Sequence, residues 1–151
     1  MSKAPQESSA AAREWAARIS AAWDKVSLAQ NEGRRAAGPK PKNSDEILFV
    51  EQPLSEWLVR RGHIIERQVK CAGGRVDIVD STSKELIECK ASGRISSIVA
   101  AARQLKHYES VFDGFGMVIA VPRIDESADW MVVALRGIGF RFIEVRKLPH
   151  D

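Results

Sequence analysis

One continuous apolar run, at residues 116–121 just before Pro122, constrains the fold of this chain more than any other feature. Such a run is typical of a central strand with both faces buried, since a half-exposed strand alternates apolar and polar residues. An amphipathic helical pattern covers residues 94–112, and a second, short helix is predicted at 127–136, closed by Gly137. The buried face of the first helix is predicted to hold Ile95, Ile98, Ala102 and Leu105. These patterns predict an α/β domain in which helices flank a mixed sheet.

The remaining segments complete the element order. A helical pattern covers residues 45–61, and Pro53 suits a helix first turn, so we expect the helix to begin or bend there. Short strands are predicted at 63–70, 75–80, 85–90 and 139–145. The second and third of these are joined by a turn at 81–84. The predicted order is therefore α, three strands, α, strand, α, strand.

Composition excludes several classes of protein. The 151 residues, 44% hydrophobic and 28% charged, suit one soluble globular domain and exclude a disordered, collagenous or disulfide-dense chain. No apolar run approaches the roughly 20 residues of a membrane span, and the first residues lack a signal-peptide core. The two cysteines, Cys71 and Cys89, cannot form a four-thiolate metal site. We expect two reduced thiols in a cytoplasmic protein with no membrane contact.

The N-terminal part differs from the rest in charge. Residues 1–43 hold eight Lys/Arg and four Asp/Glu, whereas residues 44–151 hold fifteen and sixteen. We predict an amphipathic helix within residues 1–32, a basic linker at 33–44 and the main domain at 45–151. The helix carries one apolar stripe, formed by Ala12, Trp15, Ile19, Ala22, Val26 and Ala29. Such a stripe needs a partner, so we expect a homodimer through this helix, or docking on its own domain. The basic linker would add a sequence-independent attraction for phosphate backbones.

Charged side chains interrupt two neighbouring strands in a suggestive pattern. Glu88 and Lys90 are two residues apart, so they share a face of their strand. On the preceding strand we expect Val76 and Ile78 to form the apolar face and Asp77 the other. A hairpin of the two strands would bring Asp77 beside Glu88 and Lys90. Two carboxylates suit a Mg²⁺ ion that also binds phosphate and water, and a lysine can orient the attacking water.

The segment 46–122 resembles the PD-(D/E)xK nuclease superfamily, which has the restriction-endonuclease-like fold. Asp77 stands at the motif aspartate, preceded by Val76 where the motif has proline, and Glu88-Cys89-Lys90 matches the second half. The resemblance implies an αβββαβ core and a Mg²⁺- or Mn²⁺-dependent DNA endonuclease. It implies that Asp77, Glu88 and the main-chain carbonyl of Cys89 hold the metal, and that Lys90 positions the nucleophilic water.

A second motif places the chain nearer one branch of that superfamily. Gln104 and Tyr108 are spaced as Gln-x-x-x-Tyr on one stripe of a helix. With the run from residue 66 through 77, this pattern is most similar to the RecB-like and NucS-like nucleases. The resemblance implies that Gln104 contacts the DNA backbone or helps to hold Lys90 and the metal-bound water. Tyr108 is included as a candidate catalytic residue.

The superfamily adds a carboxylate from its first helix, and three glutamates compete for this position. Glu51 has the spacing of the archaeal Holliday-junction resolvases, Glu46 suits the NucS-like arrangement, and Glu56 is a third candidate. The functional alternatives are a non-catalytic nucleic-acid-binding or assembly module that keeps the fold, and an adaptor that works through the Trp15/Trp23 helix. No sequence-reading motif indicates which DNA structure would be cut.

Overall fold

A computed structural model describes residues 44–72 and 74–149. The helix predicted within residues 1–32 lies outside the described residues, as does the predicted linker up to residue 43. Within the described residues, no helix is both long and apolar enough to cross a lipid bilayer.

The described residues form helices and strands in the predicted order. The helices are Ser44–Glu46 (α1), Gln52–Arg60 (α2), Ile95–Tyr108 (α3) and Asp129–Gly137 (α4). The strands are Ile65–Cys71 (β1), Gly74–Asp80 (β2), Glu85–Cys89 (β3), Gly116–Val121 (β4) and Phe140–Glu144 (β5). A π-helical turn, Ile47–Glu51, joins α1 to α2, and 3₁₀ turns cover Glu126–Ala128 and Val145–Lys147. The predicted α/β class with a mixed, helix-flanked sheet is confirmed.

The five strands make one sheet in the order β1-β2-β3-β4-β5. The first three strands are antiparallel neighbours, whereas β3, β4 and β5 run parallel to one another. Strand β4 is buried on both faces, as its continuous apolar run predicts. Buried residues concentrate in the three middle strands, β2, β3 and β4, whereas β1 and β5 form the edges of the sheet.

Two apolar clusters cover the two faces of the sheet. On the first, here called the α2 face, Val50, Leu54 and Leu58 pack with Ile78, Ile87, Cys89, Val118 and Ala120. On the second, the α3–α4 face, residues of α3 and α4 pack against Val76, Leu86, Met117, Ile119 and Val121. The predicted inward face of α3 is confirmed, since Ile98, Ala102 and Leu105 are fully buried and Ile95 is partly buried.

The first helical segment changes geometry just before its proline. The N–H of Gln52 donates to the carbonyl of Ile47, which is the wide spacing of a π turn. Pro53 then stands in the first turn of α2, where its missing N–H is tolerated, as predicted. Within the π turn Leu48 and Phe49 are exposed and Glu51 is buried. The segment therefore presents a carboxylate to the sheet directly before α2.

Candidate active site

The side-chain alternation of β1 and β2 reverses at one rung of their ladder. Val69 and Val76 face each other and pack on the α3–α4 face, whereas Ile65 and Ile78 pack on the α2 face. Regular alternation would keep Val76 and Ile78 together. The prediction that these two residues form one apolar face is therefore wrong.

The reversal coincides with an unusual backbone conformation at Gln68. Its φ is +53°, in the left-handed region that costs a non-glycine residue about 1–2 kcal/mol. The β1–β2 register pairs Arg67 with Ile78 and Val69 with Val76, so Gln68 and Asp77 lie between these two pairs. Strain of this kind persists only where surrounding contacts compensate for it, and it concentrates at functional sites.

The reversal lets two consecutive residues of β1 reach the same carboxylate. Arg67 donates from Nε and Nη2 to Glu51 Oε2 at 3.0 and 2.7 Å. Gln68 donates from Nε2 to Glu51 Oε1 at 2.6 Å. Glu51 is only 1% exposed, and these bonds offset the cost of burying its charge.

The amide of Gln68 also joins Glu51 to the motif aspartate. The same Nε2 atom lies 3.2 Å from Asp77 Oδ1. The other oxygen, Oδ2, accepts the main-chain N–H of Cys89 at 2.8 Å. The β2–β3 pairing runs from Asp80–Glu85 to Ile78–Ile87, so the Asp77 side chain takes over just past the last paired rung. The two strands are thereby held together at their open end by a carboxylate.

Glu88 and Lys90 lie at the same end of β3. Leu86 packs on the α3–α4 face, so alternation directs Glu88 toward that face as well. Glu88 is 2% exposed. The N–H of Lys90 donates to the carbonyl of Ala120 at 2.9 Å, which continues the parallel ladder. The half-buried Lys90 therefore shares the face of Glu88, and it makes no ion pair with any described residue.

Tyr108 packs beside this group from helix α3. Burial, followed by the charge of Glu88, raises the pKa of its phenol to about 12, and the charge of Asp77 contributes less. The main-chain N–H of Arg75 near the phenol lowers this pKa and partly offsets the other causes. A Cβ at Gly74 would come within 2.6 Å of the phenol oxygen, so Gly74 is needed for this close approach. Tyr108 is thus a neutral phenol that joins α3 to the start of β2.

The other predicted residue of α3, Gln104, is half-buried. Its Oε1 atom is buried and has no hydrogen-bond partner among the described residues. Buried amide oxygens of this kind usually accept a hydrogen bond. This atom is therefore available to a lysine ammonium, to water or to a cation.

The three helix glutamates have different environments. Glu51 is buried and linked through Gln68 to Asp77, as described above. Glu46 is half-buried in α1, and Glu56 is exposed and accepts a hydrogen bond from Gln52 at 3.3 Å. Of the three, Glu51 is the one that the described hydrogen bonds connect to Asp77.

The oxygen-rich donor set fits a hard cation of modest protein coordination. Within residues 44–72 and 74–149, no group of three or more His, Cys, Asp or Glu is arranged to hold a metal. Mg²⁺ often takes only one or two carboxylates and completes its shell with water and phosphate. The nearly fully buried Asp77 and Glu88 fit that requirement. The Cys89 thiol does not add to it, because this side chain packs in the α2-face core.

Sequence reasoning missed two residues of this network, Arg67 and Gln68. Two consecutive polar residues inside a predicted strand were a signal, because one of them must face a covered side of the sheet. That both side chains contact Glu51 depends on the left-handed conformation of Gln68, which the sequence does not indicate.

Comparison of the chain with family models, with curated proteins and with solved structures found no match.

Proposed function

We propose that the protein is a Mg²⁺- or Mn²⁺-dependent DNA endonuclease with a restriction-endonuclease-like core. The observation that carries the proposal is the position of Asp77. Its carboxylate binds the N–H of Cys89, between Glu88 and Lys90, where β2 and β3 stop pairing. Two buried carboxylates and a lysine thus belong to adjacent strand ends, as the Asp77 and Glu88-Cys89-Lys90 motif requires.

The carboxylates would hold the metal. Asp77, Glu88 and the main-chain carbonyl of Cys89 are the proposed ligands, with Glu51 behind them. When bound, the metal polarises the scissile phosphate and lowers the pKa of a coordinated water. Burial of Asp77 and Glu88 keeps competing water away and strengthens their attraction for a cation.

Lys90 would act on the attacking water. Its ammonium shares the face of Glu88, where it can orient that water toward phosphorus and offset the charge that develops during attack. The phosphorus–oxygen ester bond then breaks, leaving a phosphate monoester and a hydroxyl group. Gln104 would accept a hydrogen bond from Lys90 through its buried Oε1 atom and so restrict the ammonium. Tyr108, held as a neutral phenol, would support α3 rather than transfer a proton.

Cleavage of supercoiled plasmid DNA tests the proposal directly. The full chain should nick plasmid with Mg²⁺ or Mn²⁺ and lose that activity with a chelator. Lys90→Ala should bind metal and DNA but turn over poorly, because its role falls in the reaction step. Lys90→Arg should not restore turnover, since a planar guanidinium does not replace a point charge.

Matched controls come from the opposite end of β3. Lys84→Ala is the control for Lys90→Ala, and Glu85→Gln is the control for a change at Glu88. The Glu85 carboxylate forms an ion pair with Arg141. Both controls should retain activity. DNA binding without cleavage under every metal condition would support the non-catalytic alternative instead.

Where cleavage is observed, a panel of linear, flap, mismatched, four-way and single-stranded substrates would define the DNA structure that is cut.

A further inference from the structure

We propose that Gln68 is a positioning residue that recruits Glu51 to the metal site; this inference rests on the proposed function. The helix glutamate Glu51 is remote in sequence from Asp77 of the strand motif. Gln68 connects the two, because its single Nε2 atom lies 2.6 Å from Glu51 Oε1 and 3.2 Å from Asp77 Oδ1. An amide nitrogen has two hydrogens, so both bonds can form at once.

The backbone of β1 is organised around this bridge. A regular strand would direct Gln68 away from Arg67, and Glu51 would then lose one of its two partners. The left-handed φ of +53° turns the Gln68 amide back toward Glu51 and Asp77. A glutamine has no intrinsic preference for this conformation, whereas asparagine and glycine adopt it more readily. The residue present is therefore suited to the reach of its side chain and not to the backbone.

The Gln68 bridge reduces the repulsion between two buried carboxylates. Glu51 and Asp77 are both nearly fully buried and repel each other when ionised. Arg67 neutralises only Glu51, through the bonds to Oε2. The Gln68 amide donates to both carboxylates and so lets them approach without a second fixed positive charge, which would compete with a metal cation.

The test is calorimetric titration of the full chain with Mn²⁺ in the absence of DNA. Gln68→Gly and Gln68→Ala both remove the amide, but only glycine relieves the backbone strain. Both should bind Mn²⁺ about 10-fold more weakly, as is usual when a residue that orients a ligand is lost. Their melting temperatures should differ, with the glycine variant higher. Gln68→Asn tolerates the backbone and keeps an amide, but it is one methylene too short to span both carboxylates, so its Mn²⁺ affinity should also fall.

A double-mutant cycle with Glu51→Gln separates positioning from general loosening of the site. If Gln68 acts through Glu51, Gln68→Gly should change Mn²⁺ affinity little in the Glu51→Gln background. An equal loss in both backgrounds, or wild-type affinity in folded Gln68→Gly and Gln68→Asn, would overturn the proposal. Absence of Mn²⁺ binding by the wild-type chain would instead reject the proposed metal site itself.

Discussion

Asp77 and Asp80 lie three residues apart on β2 and are equally buried, yet they sit at the two ends of its pairing with β3. At the closed end, Asp80 Oδ1 accepts the N–H groups of Thr82 and Ser83 at 3.0 and 3.1 Å. Its Oδ2 lies 2.7 Å from His63 Nδ1. Asp80 therefore caps the β2–β3 turn and also joins it to His63, which lies just before β1.

At the open end, Asp77 lies where three elements meet. Its partners include a side chain of β1 and a main-chain N–H of β3, and through Gln68 it connects to the helical segment. Burial by itself therefore does not distinguish the two aspartates. What separates them is that Asp80 caps a turn, whereas Asp77 is linked through Gln68 to the buried Glu51.

The largest expected effect is on catalysis at the open end. Asp77→Asn should reduce DNA cleavage by at least about 10²–10³-fold, because it removes a ligand charge while an amide oxygen can still accept the Cys89 N–H. Asp80→Asn should keep cleavage activity, since the same change occurs away from Glu88 and Lys90. Rates measured at matched folded concentration check the pair, and equal losses in both variants would remove the functional distinction.

The next effect is on stability at the closed end. Asp80→Ala should lower the free energy of unfolding by about 1–3 kcal/mol, because it leaves the turn N–H groups and His63 without their buried acceptor. Urea denaturation followed by circular dichroism measures this loss. Glu109→Ala, which removes only an exposed ion pair with Lys106, is a suitable control and should change stability much less.

The same residue should make folding sensitive to acid. Burial alone would raise the pKa of Asp80, but the bonds from Ser83 and His63 outweigh it and lower the pKa below its usual value. A lowered pKa contributes stability above the unfolded-state value and loses it as pH falls through the folded value. The melting temperature of the wild type should therefore decrease when the pH is lowered below about 4. Asp80→Asn should lose less over that range, and parallel curves for the two proteins would contradict the assignment.

A smaller coupling is expected where α3 meets the start of β2. Gly74→Ala should destabilise the fold by about 1–3 kcal/mol, since the new Cβ would overlap the Tyr108 phenol oxygen. Tyr108→Phe removes that oxygen and should recover part of the loss when combined with Gly74→Ala. Strictly additive effects in denaturant titrations would show that backbone strain at Gly74, and not contact with Tyr108, sets the cost.

Much of the fold followed from periodicity, because each strand of the sheet carries its own pattern. The run at Gly116–Val121 predicted its strand in full, and the spacing of Ile98, Ala102 and Leu105 predicted the buried face of α3. The arrangement at Gln68 could not be predicted, since it depends on a left-handed backbone conformation that a glutamine in the sequence does not indicate. The contact of Glu51 was equally hidden, because the π turn before Pro53 determines which glutamate faces inward.

The smallest effect is spectroscopic and reads the open end without metal or DNA. Tyr108 is the single tyrosine of the chain, so the ultraviolet absorbance of phenolate reports its ionisation alone. Burial and then the Glu88 charge raise its pKa to about 12. The stability from this shift is present below the unfolded-state pKa, about 10, and is lost as pH rises toward the folded value. Glu88→Gln should move the absorbance midpoint down, but not to the ordinary value, because burial remains. Glu85→Gln, at the closed end, should leave the midpoint in place. A midpoint unchanged by Glu88→Gln would place that carboxylate away from Tyr108 and would weaken the grouping of Glu88 with Asp77.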